Sequence, residues 1–171
     1  MAAIRWLESA WAGQGEAVGL AWRDMPTQPI TAPCSTTTPP GLPVVLVLAS
    51  GRGERFAASG GMVHKLRAAL GDKTVLEHTL AAVRASGLPW HLEDAGHPGM
   101  GDSIAAAVRA TAGAPGWLVL PGDLPLVLPE TLRSIAAALA DCAVAVPLYQ
   151  GERGHPVGFA AECQPGLLAL T

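Results

Sequence analysis

Directly after the apolar run "VVLVLA" the chain reads "SGRGERF" (residues 50–56), and Lys65 stands ten residues beyond Arg55. Gly51 and Gly53 allow backbone N–H groups to approach an anion closely. Arg55 can fork onto phosphate oxygens, and Lys65 adds a second positive charge. A glycine-rich loop by itself is usually a plain surface loop. Its position at the carboxyl end of a buried strand, where ligands of α/β sheets collect, favours phosphate binding. A dinucleotide fingerprint fits poorly, because Phe56 occupies the place of its third glycine. Asp72 lies at the distance of the ribose-binding acid but precedes a helix. No Gly-Lys-Ser/Thr follows, so a Walker loop is excluded.

Four further stretches carry chemistry. In "WLVLPGDLP" Asp123 follows a buried strand, and a carboxylate fixed there can hold Mg²⁺ together with substrate phosphates. The bland alternative is a turn or capping aspartate. In "GMGDSIAA" glycines precede a helix whose first N–H groups are open to an anion, with the Ser103 hydroxyl beside them. Its bland alternative is a cap by Asp102 or Ser103. "GERGHPVGF" brings Arg153 and His155 after a strand, either towards the same cleft or into an ordinary hairpin. "HLEDAGH" offers His91, Glu93, Asp94 and His97, whose spacing matches no standard zinc pattern.

These residues need a frame to hold them. "VVLVLA", "WLVLP" and "CAVAVPLY" read as buried strands, with "VGFA" as a fourth and a short one around "PWHLEDA". "TVLEHTLAAVRASG" reads as a helix with a Thr74–Glu77 capping box, an apolar stripe through Val75, Leu76, Thr79, Leu80 and Val83, and a stop at Gly87. "DSIAAAVRA" and "PETLRSIAAALAD" read as two more helices, the latter with Pro129 in its first turn. Strands alternating with helices predict an α/β fold with a mainly parallel sheet. Regular patterning starts at Val44. Residues 23–43 hold six prolines and a Ser/Thr cluster, and residues 1–22 hold three tryptophans. The expected organisation is an N-terminal extension over 1–43 and one domain over 44–171.

Bulk properties narrow the function. The 171 residues fit one domain, and half of them are hydrophobic. A net charge of -3 leaves no footprint for nucleic acid or an anionic membrane. No apolar run is long enough to span a bilayer, and the start has no signal-peptide core. Three scattered cysteines make no disulfide framework. The cytoplasm is the default compartment.

Four of the stretches occur in a telling order. "LASGRGERF…HKL", "GMGDSIAAAV", "LVLPGDLPL" and "GERGHPVGF" together resemble the molybdenum cofactor nucleotidyltransferases, most closely the cytidylyl branch, from about Val44 to Phe159. The resemblance implies a three-layer α/β/α Rossmann-like nucleotidyltransferase domain. It also implies transfer of CMP from CTP to the terminal phosphate of molybdenum-molybdopterin with release of pyrophosphate. Arg55, Lys65 and Asp123 would carry catalysis, with Asp123 holding Mg²⁺. Ala49, Ser50, Gly51, Gly53, Arg55, Lys65, Ser103 and His155 would bind the nucleotide and cofactor. A molybdoenzyme or its chaperone would be the protein partner. Guanylyl relatives usually carry two glycines at positions 50 and 51, whereas this chain has Ser50, which leans towards CTP. Relatives often carry more structure than the single short strand that fits between Leu88 and Gly99. They usually continue past the position of Thr171, so a C-terminally shortened domain is expected. The alternatives are a GTP-using relative, a non-catalytic nucleotide- or cofactor-binding module, and a nicotinamide-dependent oxidoreductase.

Overall fold

The computed structural model describes residues 41–50 and 65–171. A five-stranded sheet forms the centre, in the order β4 (Trp90–Glu93), β1 (Val44–Leu48), β5 (Gly116–Pro121), β9 (Val157–Ala160), β6 (Val144–Ala145). β1 pairs in parallel with both β4 and β5, while β9 runs antiparallel to β5 and β6. Four of the five strands therefore share one direction. The mainly parallel α/β prediction holds.

The side-chain alternation of β1 explains why its sequence is apolar throughout. Val45 and Val47 face one layer, with Leu80 and Val83 of α1 (Val75–Ser86) and Leu132 and Ile135 of α3 (Pro129–Ala138). Leu46 faces the other, with Ile104, Ala107 and Val108 of α2 (Met100–Ala110) and Leu167 of α4 (Gln164–Leu168). A strand covered on both faces has no polar side to show. Helices on both sides of one sheet give the three expected layers.

Helix α1 begins as its sequence dictates. Thr74 accepts from the Glu77 amide, the Glu77 carboxylate accepts from the Thr74 amide at 2.7 Å, and Gly87 closes the helix at φ 74°. Of the apolar stripe, Thr79, Leu80 and Val83 are buried. Helix α2 starts earlier than "DSIAAAVRA" suggests, at Met100, with Gly99 extended at its N-cap and Gly101 inside the first turn. First-turn N–H groups have no intrahelical partner, so glycine costs little there. "PWHLEDA" forms β4, which lies directly on β1, with one strand between Leu88 and Gly99 as expected.

Over residues 142–149 the structure differs from expectation. "CAVAVPLY" is not a single strand. Only Val144–Ala145 joins the sheet. Pro147 lacks an N–H and interrupts the ladder, and Leu148–Tyr149 (β7) then pairs antiparallel with Glu152–Arg153 (β8) as a separate ribbon. "GERGHPVGF" thus begins on a hairpin, while its His155 comes within reach of the Asp123 charge, so both of its alternatives are partly met. A second small ribbon joins β2 (Ala69–Leu70) to β3 (Lys73–Thr74), and Gly71 turns it at φ 67°. Asp72 sits in that turn, away from any strand end of the central sheet, which removes the basis of the dinucleotide reading. Among the described residues no helix is long and apolar enough to cross a membrane.

Candidate active site

The carboxyl ends of β1 and β5 lie side by side, and backbone contacts fix the residues just beyond them. The Gly122 amide donates to Leu48 O at 2.9 Å, and the Ala49 amide donates to Glu93 O at 2.8 Å. Gly122 must be small. A Cβ there would stand 3.0 Å from Leu48 O and 3.1 Å from Leu76 Cδ1, closer than ordinary contact. Thr79, fully buried in α1, donates its hydroxyl to Gly122 O at 3.0 Å. The peptide preceding Asp123 is therefore clamped by the next strand and by a helix.

From this clamp Asp123 meets Lys65, whose ammonium donates to Oδ2 at 2.5 Å across 58 residues of sequence. Both side chains keep access to solvent, at 52% for Lys65 and 32% for Asp123. A cation already neutralises this carboxylate, which shows that its oxygen faces a place where positive charge fits. Among the described residues no group of three His, Cys, Asp or Glu side chains is placed to hold a metal. A divalent ion on Asp123 would draw its remaining ligands from water and phosphate, the habit of Mg²⁺.

A second pair lies at the same sheet edge. Ser50, just past β1, and Ser103, in the first turn of α2, place their hydroxyl oxygens 2.5 Å apart. Ser103 is 2% exposed and also donates to Gly99 O at 3.0 Å. Either hydroxyl can donate within the pair, so Ser103 ties Ser50 to the first turn of α2.

His155 precedes Pro156 and comes close enough to Asp123 to feel its charge. Burial pushes its imidazole below the ordinary value of 6.5, and the Asp123 carboxylate pulls it partly back. At pH 7 it is therefore neutral and adds no cation to the Lys65–Asp123 pair. Because the folded-state pKa lies below the unfolded one, the unfolded chain binds more protons between the two values. Stability is full above about pH 6.5 and declines as pH falls below it. Urea melts from pH 7.5 down to pH 5 should show this decline, and His155→Gln should flatten it. An unchanged pH slope in that variant would remove His155 from the account.

The structure thus brings together Lys65 with Asp123, and Ser50 with Ser103, with His155 near the first pair and Ala49 beside the second. Gly51, Gly53 and Arg55 lie outside the described residues. Of the "HLEDAGH" side chains, His97 hydrogen-bonds Glu93, while His91 Nε2 is buried without a hydrogen-bond partner among the described residues. Glu93, 10% exposed, has His97 Nε2 at 3.1 Å and His91 Nε2 at 3.6 Å, and its Oε1 also accepts the Ala95 amide. By sequence, Thr79 counts only as part of an apolar stripe. A hydroxyl within such a stripe is the available signal of a buried hydrogen bond.

A sequence profile of the MobA-like NTP transferase domain matches residues 81–171, just over half the chain. The chain belongs to the MobA-like NTP transferase domain family. It is accordingly a nucleotidyltransferase acting with nucleoside triphosphates. Solved structures share its fold. Rv0371c from Mycobacterium tuberculosis H37Rv is 24% identical with a TM-score of 0.65, over 76% of this chain and 77% of that one. Rv0371c is also known as a complex with manganese. A nucleotidyl transferase from Methanothermobacter thermautotroptrophicus, Mth528, is 27% identical with a TM-score of 0.58, over 76% of each chain. The 2-C-methyl-D-erythritol 4-phosphate cytidylyltransferase of Thermus thermophilus is 20% identical with a TM-score of 0.51, over 70% of this chain and 71% of that one. Among curated protein sequences none matches significantly.

Proposed function

We propose that this MobA-like transferase moves a cytidylyl group from CTP to the terminal phosphate of molybdenum-molybdopterin. A phosphate oxygen of the pterin attacks the α-phosphorus in line, the bond to the β-phosphate breaks, and pyrophosphate leaves. Such a transfer asks for positioning and charge neutralisation more than for covalent help. The observation that carries the reading is the Lys65–Asp123 pair, an exposed cation and a clamped carboxylate at the carboxyl edge of a parallel sheet.

In this reading Lys65 and Arg55 hold phosphate oxygens, and Gly51 and Gly53 bring backbone amides to them. Asp123 holds a divalent metal, Mg²⁺ by preference, with neutral His155 beside it. The metal, when bound, neutralises charge on the phosphates. Ser50 and Ala49 line the nucleobase side, and Ser103 acts through Ser50 by holding its hydroxyl. The manganese complex of Rv0371c and the cytidylyl transfer by the Thermus enzyme support a metal and a cytosine nucleotide in this fold. A molybdoenzyme or its chaperone would receive the product. Pyrophosphate release with molybdopterin and each triphosphate tests the reading.

The catalytic unit is assigned to residues 44–171, with 1–43 as an extension. A chain beginning at Gly41 is expected to be soluble and to melt cooperatively within a few degrees of the full chain. Insolubility, or loss of most of the stability, would place the extension in the folding unit.

A further inference from the structure

We infer that Lys65 is an exchangeable counterion: it occupies Asp123 in the nucleotide-free protein and leaves for the triphosphate, so that metal enters with nucleotide rather than before it. The inference rests on the reading of Asp123 as metal carrier and Lys65 as phosphate contact, and adds an order of events to it.

Three observations point this way. The ammonium lies 2.5 Å from Asp123 Oδ2, within direct contact of the atom a metal would need. Lys65 opens a short 3-10 turn, Lys65–Arg67, and its side chain is about half exposed, so it can swing away without uncovering core. An exposed pair of this kind shifts an equilibrium by no more than about fivefold, enough to bias the carboxylate and too little to lock it. Finally, among the described residues Asp123 belongs to no cluster of three metal-ligating side chains. A lone divalent ion would therefore gain one carboxylate while facing the Lys65 charge. A metal–triphosphate complex differs in both respects. It brings its own oxygen ligands, and its net negative charge gives Lys65 a new partner. The same lysine thus opposes the free ion and attracts the nucleotide-bound one.

The test is Mn²⁺ binding to the full chain, followed by electron paramagnetic resonance, without nucleotide and with a non-hydrolysable CTP analogue. Lys65→Met should bind Mn²⁺ alone about fivefold more tightly than the wild type, while Lys65→Arg, which keeps the charge, should not. The analogue should tighten Mn²⁺ binding to the wild type by at least about tenfold, and by clearly less in Lys65→Met. Unchanged affinity in nucleotide-free Lys65→Met, or wild-type protein that binds Mn²⁺ equally well with and without the analogue, would overturn the exchange. Asp123→Asn separates this from the underlying reading. If that variant still binds Mn²⁺ normally in the presence of the analogue, the metal assignment itself is wrong.

Discussion

Asp123→Ala is expected to lower pyrophosphate release by at least about a thousandfold, the scale on which phosphoryl-transfer enzymes depend on one charged group. Its fold should survive. The side chain is a third exposed and contacts Lys65, not the core, and the clamp on Gly122 uses backbone atoms and Thr79. Loss of the carboxylate removes the group assigned to the metal and leaves Lys65 without its partner. Circular dichroism and a melting curve close to wild type should accompany the loss of activity. An Asp123→Ala protein that turns over at near-normal rates would dismiss the site.

The second large effect concerns base choice. CTP is expected to be used at least about tenfold better than GTP, within the roughly 10- to 200-fold that a pocket discriminating by size and a few hydrogen bonds can supply. Ser50 lies two residues past β1, and in the proposed reading its side chain takes space that glycine would leave to a larger purine. Its hydroxyl is held by Ser103 at 2.5 Å, which fixes where the side chain stands. Ser50→Gly should narrow the gap between CTP and GTP. Comparison of kcat/KM for the two triphosphates decides this. Equal use of CTP and GTP, or a preference for GTP, would move the protein to the guanylyl branch.

Much of the frame was legible because local and global preferences agree in it. The apolar run 44–48 has no polar alternation because both its faces are covered, and Thr74, Glu77 and Gly87 mark the ends of α1 in both sequence and structure. "CAVAVPLY" misled because apolar, β-branched composition does not reveal the ladder broken by Pro147, and Leu148 and Tyr149 are left well exposed on their ribbon. The antiparallel sense of β9 has no local signature either, since both senses use the same period of two. In the site, each of Lys65 and Asp123 was individually weak, and their pairing spans 58 residues. The order of the motifs linked them. The Ser50–Ser103 pair and the Thr79 clamp stayed hidden because a hydroxyl's partner depends on packing between elements, which sequence spacing does not encode.

The most direct test of the central claim is pyrophosphate release by the full chain supplied with molybdopterin, Mg²⁺ and CTP. The account predicts pyrophosphate in step with a cytidylylated pterin, and neither product when molybdopterin or the metal is withheld. A chain that binds CTP yet forms no pyrophosphate with molybdopterin present would contradict it.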